Sequence, residues 1–273
     1  MKFKPEAYFV DIDGTLCDEP ELLTGKESTV SKENLEAVNK VTKHSPVILA
    51  TGRGPKEPIV AKILTNCDAS YAICQNGATI VNNKLEEVKV NQLSKVKTRA
   101  LLDYCKKEKL YIIVDNTQFI YGPDTNVTLD RPWVKEFTFK LYEDIPYKEN
   151  VRKILTFGKN LEGMAKLKEE LPKIVNGLTV SFVSKGLSIE ITDIKASKGK
   201  VSLYMAKKLS VNPLKCVHIG DSGNDISAAQ YLGGFIAMGN AADYVKEKAD
   251  YIGPNFRPAG IAKLFKIIEN NEI

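Results

Sequence analysis

Apolar residues along this chain gather into short runs, and each run stops on a polar or charged residue. Ala7–Val10 runs into Asp11, Pro46–Ala50 into Thr51, Tyr71–Cys74 into Gln75-Asn76-Gly77, and Cys216–Ile219 into Gly220-Asp221. Brief runs rich in Val, Ile and aromatic side chains read as strands buried on both faces. Between them the apolar spacing lengthens to that of a helix, as from about Lys56 to Leu64. Ser197 suits the N-cap of a helix reaching about Leu209. After Asp225 come a helix, a strand at Phe235–Met238, a helix over Asp243–Lys248, a short strand at Tyr251-Ile252 and a last helix from about Gly260. Strands alternating with helices predict an α/β fold with a doubly wound, mostly parallel sheet.

The middle of the chain has another texture. A helix is expected over Val96–Lys107, with strands at Leu110–Val114, Gln118–Tyr121 and Lys153–Phe157 and a helix over Leu161–Leu171. A less regular stretch holds the single tryptophan, Trp133. The runs Leu178–Val183 and Leu187–Ile191, split by Lys185-Gly186, read as a hairpin. The expectation is an α+β unit, residues 84–185, inserted into a catalytic core made of residues 1–83 and 186–273. Hinges are then expected near 81–86 and 184–188.

A length of 273 residues accommodates two domains, and 43% hydrophobic with 27% charged residues is an ordinary globular balance. No apolar run is long enough to span a membrane or to serve as a signal peptide, so a cytoplasmic location is expected. The five cysteines (Cys17, Cys67, Cys74, Cys105, Cys216) form no CxxC pair, which suits free thiols in a reducing compartment. Cys17 reads as a small packed residue. The two histidines, His44 and His218, give histidine chemistry little material. Of the net +5, all lies in residues 84–185, with 19 Lys+Arg against 14 Asp+Glu; the rest holds 20 of each. No basic block is dense enough to make nucleic acid a partner.

The polar groups that end the runs converge if the strands are parallel neighbours. Asp11 and Asp13 would stand beside Thr51, Asp221, Asp225 and Lys198 at the carboxyl edge of the sheet, where ligands bind in such folds. Three carboxylates around one point repel unless a cation lies among them, and oxygen donors favour a hard divalent ion such as Mg2+. Lys198 adds a positive charge and Thr51 a hydroxyl, a set suited to the spread charge of a transferring phosphoryl group. One carboxylate is placed to attack, and a second, two residues on, to move a proton. Gly14 permits the sharp turn that brings main-chain amides toward a phosphate. Each string alone would pass for a turn or a cap; their joint occurrence at element ends is what argues for chemistry.

These residues resemble the four motifs of the haloacid dehalogenase superfamily: Asp11-Ile-Asp13-Gly14-Thr15, Thr51-Gly52-Arg53, Lys198, and Gly220-Asp221-Ser-Gly-Asn224-Asp225. The insert resembles a type IIB cap. Gln75-Asn76-Gly77-Ala78, Glu190-Ile-Thr, Ser197-Lys198-Gly199 and Ala237-Met238-Gly239-Asn240-Ala241 are similar to the Cof-type sugar-phosphatase branch. The resemblance implies Asp11 as nucleophile and metal ligand. It implies Asp13 as acid/base, its main-chain carbonyl also on the metal. Thr51 and Lys198 would hold phosphoryl oxygens, and Asp221 and Asp225 would bind Mg2+, Asp225 directly or through water. Gly14, Gly52, Arg53, Asn76 and Asn224 are expected at the phosphate or substrate. The expected activity is hydrolysis of small phosphorylated metabolites, sugar phosphates foremost, through an aspartyl-phosphate. The expected partner is the metabolite alone, with no nucleic acid and no membrane, in a monomer or homodimer. Two alternatives stay open: a phosphosugar mutase or phosphotransferase, and a non-catalytic phosphometabolite-binding protein. Lys140, Arg152 and Lys185 are candidates for substrate contact from the insert.

Overall fold

The first strand, β1 (Ala7–Val10), is buried along its whole length and becomes the middle of an eight-stranded sheet. The structure is a computed structural model that describes residues 3–18, 29–125, 132–146 and 150–271. After β1 come α1 (Lys32–Thr42), β2 (Val47–Ala50), α2 (Pro58–Asn66), β3 (Tyr71–Cys74), β4 (Thr79–Asn82) and β5 (Glu87–Val90). Next are α3 (Lys95–Lys107), β6 (Tyr111–Val114), β7 (Phe119–Gly122), β8 (Thr138–Leu141) and β9 (Lys153–Phe157). Then follow α4 (Leu161–Ile174), β10 (Leu178–Val183), β11 (Ser188–Asp193), α5 (Lys198–Lys208) and β12 (Cys216–Gly220). The chain closes with β13 (Gly234–Ala237), α6 (Asp243–Lys246), β14 (Tyr251–Ile252) and α7 (Gly260–Glu269).

The chain divides into two units, residues 1–89 with 197–273, and residues 90–196. In the first, the strand order is β14-β13-β12-β1-β2-β3-β4-β5. The strands from β14 to β3 run parallel, and β4 turns back antiparallel on β3. Side chains alternate across the pleat, so β1 sends Tyr8 and Val10 to one face and Ala7 and Phe9 to the other. The first pair joins Val38 of α1, Ile63 of α2 and Phe265 of α7; the second joins Val201 and Met205 of α5. Helices on both faces explain why these strands are apolar throughout rather than alternating.

The second unit is a six-stranded sheet in the order β10-β11-β9-β6-β7-β8, antiparallel except for β7 with β8. One face packs Leu101 of α3 and Met164 and Leu167 of α4 against Ile112, Ile154, Ile189 and Ile191. Side-chain oxygens of Ser94 and Asn160 accept main-chain N–H groups and cap these helices.

The boundary expected between residues 185 and 186 is corrected by the pairing. β11 is bonded to β10 on one side and β9 on the other, so residues 186–196 belong to the second unit, and the junctions fall at 89/90 and 196/197. A hinge at 184–188 would sit inside the β10–β11 hairpin. The helix expected after Asp225 is a short 3-10 turn, Ile226–Gln230. The irregular stretch expected around Trp133 lies partly outside the described residues. Among the described residues no helix is long and apolar enough to cross a membrane.

Candidate active site

The polar residues that end the strands of the first unit meet at the carboxyl edge of its sheet. The Asp11 N–H donates to the Ile219 carbonyl at 2.9 Å, which extends the β1–β12 pairing one residue and sets Asp11 beside Gly220-Asp221. Gly14 has φ +73°, a left-handed conformation that favours glycine, and a Cβ there would run into the Asp221 carboxylate. Asn240 joins them: its Nδ2 donates to the Gly14 carbonyl at 2.9 Å and to Asp221 Oδ2 at 3.1 Å.

Lys198 is the first residue of α5. Ser197 caps that helix by accepting from the Lys200 N–H at 3.2 Å. With its side chain fully buried, Lys198 reaches Asp11 Oδ1 at 2.6 Å and Asp225 Oδ1 at 2.8 Å. Carboxylate oxygens of Asp11, Asp221 and Asp225 all lie within 4.8 Å of one another.

This crowding governs protonation. Burial pushes Asp11 well above the usual carboxylate range; Lys198 pulls it down, while Asp225, Asp221 and Asp13 push it further up. Burial and Asp225 hold Asp221 at about 7. Burial works against ionised Asp225 too, but Lys198 and His218 outweigh it and bring that group down to about 2. Burial also disfavours the Lys198 ammonium, yet Asp11 and Asp225 raise its pKa overall. Among the described residues, one ammonium therefore meets a cluster of three carboxylates. The donor set is hard oxygen with negative charge to spare, which fits a divalent cation such as Mg2+.

On the other side, the Thr51 N–H donates to the Ile73 carbonyl at 2.8 Å, Asn76 N–H to the Thr51 carbonyl at 3.0 Å and Gln75 N–H to the Arg53 carbonyl at 2.9 Å. Gly52 lies in the turn so bound. Gln75 and Asn76 have φ of 50° and 56°, ahead of Gly77 at 98°. Consecutive left-handed non-glycine residues are strained, and such strain is held where a loop must take one shape. Asn224 Nδ2 donates to Asn76 Oδ1 at 3.0 Å, so the loops after β3 and β12 are joined.

Asp13 stands differently from the expectation for Arg53. The Arg53 Nη2 donates to Asp13 Oδ1 at 2.8 Å and its Nε to Oδ2 at 2.9 Å, a two-pronged pair. Glu57 backs the arginine at 3.3 Å and accepts from the Gly54 N–H at 2.6 Å. Arg53 is thus a partner of Asp13 in this structure. Cys17 is buried, and burial pushes its thiol up, which suits a packed residue.

Two further residues escaped the sequence reading. Asn240 belongs to a string that marked only a resemblance. His218 breaks the apolar run Cys216–Ile219 and lies 2.7 Å from Asp225 Oδ1 by its Nε2. In the second unit, the Lys140 ammonium lies 3.7 Å from the Phe119 ring centre, the Arg152 N–H donates to Asp115 Oδ1 at 2.7 Å, and Lys185 has φ 55° in a tight turn.

A profile described as haloacid dehalogenase-like hydrolase matches residues 8–265. A phosphoglycolate phosphatase of Archaeoglobus fulgidus is 28% identical over 268 residues, covering 97% of this chain and 98% of its own. A 5-amino-6-(5-phospho-D-ribitylamino)uracil phosphatase of Bacillus subtilis is 27% identical over 281 residues, covering 93% and 94%. Among solved structures, a haloacid dehalogenase-like hydrolase from B. subtilis superposes with a TM-score of 0.77 at 23% identity, over 96% of this chain and 99% of that one. A subclass IIB sugar phosphatase gives 0.78 at 20% identity, over 98% and 100%.

Proposed function

This chain belongs to the haloacid dehalogenase-like hydrolases, and from that premise we propose that it is a Mg2+-dependent phosphatase of small phosphorylated metabolites, with Asp11 as nucleophile. The observation that carries this is the Lys198 ammonium 2.6 Å from Asp11 Oδ1, inside a cluster of carboxylates with surplus negative charge. The Lys198 ammonium favours the ionised, attacking form of Asp11 against the burial that raises its pKa, and a bound cation would favour that form further.

An Asp11 carboxylate oxygen attacks phosphorus, the bond from phosphorus to the leaving oxygen breaks, and Asp13 gives that oxygen its proton. Water then attacks the same phosphorus, Asp13 takes the proton of the water, and the bond to Asp11 breaks to release orthophosphate. Lys198 and Thr51 hold the phosphoryl oxygens, with main-chain amides of the Gly14 and Gly52 turns. Arg53, Asn76 and Asn224 hold the rest of the phosphoryl group or the loops around it. Arg53 must share its guanidinium between Asp13 and an incoming anion. Asp11, Asp221 and Asp225, with the Asp13 carbonyl, would hold Mg2+, which supplies positive charge at the phosphoryl oxygens.

The named activities of the relatives span a two-carbon phospho-acid and a phosphorylated ribityl-uracil, and one structural neighbour is a sugar phosphatase. Residues 90–196 are read as the inserted cap of the family, the part that discriminates among such substrates. The test is orthophosphate release from a panel of phosphoglycolate, sugar phosphates and phosphoribityl compounds, with and without Mg2+. Mg2+-dependent release that falls at least about a thousandfold in Asp11→Asn is expected. Isomerised phosphosugar with no free phosphate would support the mutase alternative instead.

A further inference from the structure

His218 is one of two histidines in the chain, and the chemistry above gives it no part. It stands on β12 two residues before Gly220, and its side chain is fully buried. Its Nε2 lies 2.7 Å from Asp225 Oδ1, while its Nδ1 has no hydrogen-bond partner among the described residues. The Phe235 ring stands beside it, centre to centre 6.1 Å. A polar ring in such a place costs stability and is kept only for what it holds.

What it holds is one particular oxygen. Asp225 Oδ1 meets both the Lys198 ammonium at 2.8 Å and His218 Nε2, whereas Oδ2 accepts the Ser222 N–H at 3.0 Å. A carboxylate oxygen has two lone-pair directions. Oδ1 is therefore filled by the lysine and the histidine, and Oδ2 keeps a direction for a further ligand. The same ammonium touches Asp11 at 2.6 Å, so a continuous chain runs His218–Asp225–Lys198–Asp11. The acceptor-only carboxylate requires a hydrogen on Nε2, and the unpartnered Nδ1 is then the bare ring nitrogen.

We propose that His218 is a positioning residue: its Nε2–H keeps Asp225 Oδ1 turned to Lys198, which fixes the ammonium on Asp11 and reserves Asp225 Oδ2 for the metal site. Without that donor, the Asp225 carboxylate is free to rotate and exchange its oxygens, and the lysine loses a fixed second anchor. The role resembles that of hydrogen-bond partners behind metal ligands generally, whose loss costs about 10- to 100-fold in affinity or activity.

The kinetic consequence rests on the phosphatase reading, but the geometry does not, so the two are tested apart. In the full-length 15N-labelled protein, long-range 1H–15N correlation should show one of the two histidines as the Nε2–H tautomer, and His218→Gln should remove that signal. An Nδ1–H tautomer at His218, with Nε2 bare, overturns the assignment whatever the activity. His218→Leu should lower kcat about 10- to 100-fold with KM within about twofold. Calorimetric titration should show its Mg2+ binding weakened by a similar factor. His218→Gln, whose amide nitrogen reaches the same oxygen, should recover most of both. Equal losses in the two variants, or no loss in His218→Leu, contradict the proposal. Should His218→Leu fail to fold, the tautomer and the His218→Gln kinetics decide alone.

Discussion

Buried charge is arranged in opposite ways in the two units. In the first, Asp11, Asp221 and Asp225 crowd together, and among the described residues one ammonium, Lys198, pairs with two of them, Asp11 and Asp225. In the second, Lys153 of β9 meets Glu190 of β11 at 2.6 Å, and Lys97 of α3 meets Asp193 at 2.7 Å. A cation opposite a carboxylate satisfies both and ties two elements together. A cluster with surplus negative charge stays costly until a cation joins it, and that unrelieved cost marks a site built for something other than stability. The comparison separates binding chemistry from scaffolding among residues that look alike in sequence.

The sharpest break in the comparison is Lys198→Met. It should lower orthophosphate release at least about a thousandfold, because Asp11 loses its counter-charge and the phosphoryl oxygens lose theirs. The matching change in the second unit, Lys153→Met, should act on stability. Breaking a buried pair costs about 3–5 kcal/mol in denaturant unfolding, and Lys153→Met/Glu190→Met should recover most of it. An equal cost in single and double variants would mean the pair is not what those residues hold.

Smaller effects come from the carboxylates themselves. Asp221 is held at about 7, against an ordinary 3.8. Between those values the native state keeps a proton that the unfolded chain has lost, so stability falls as pH rises through that window. Asp225, lowered to about 2, contributes stability that is lost only as pH falls below its ordinary range, outside this window. The Tm of the metal-free protein should therefore drop between about pH 5 and pH 7.5, and Mg2+ should raise it more at the higher pH. Asp221→Asn should flatten that profile and raise the metal-free Tm at the higher pH by about 2–4 °C. Because the buried His218 opposes the trend at the lower end of this range, the deciding comparison is with the variant: a metal-free Tm profile that Asp221→Asn leaves unchanged would show that the cluster carries no such repulsion.

Much of the first unit was legible because burial on both faces makes its strands continuous apolar runs, and each run stops where the chain meets the site. Asp11, Thr51, Lys198, Asp221 and Asp225 each lie within a residue of an element end or in the loop that follows it, which periodicity marks well. β4 and β5 were missed, since Thr79–Asn82 and Glu87–Val90 are short and flank a polar turn. The edge of the second unit was misplaced because a turn at Lys185-Gly186 looks the same inside a hairpin as between domains; only the pairing of Ser188–Asp193 distinguishes them. The Arg53–Asp13 pair and the His218–Asp225 contact join residues 40 and seven positions apart, and neither leaves a periodic trace. Motif spacing tells which residues meet, while side-chain partners within the meeting place depend on packing.

The most direct test of Asp11 as nucleophile is to quench the enzyme with borohydride during turnover and map the peptides by mass spectrometry. An acyl-phosphate on Asp11 is reduced to homoserine at position 11, and that product should appear with substrate, vanish without it and be absent from Asp11→Asn. Homoserine at another aspartate, or none at any position while phosphate is being released, would contradict the account.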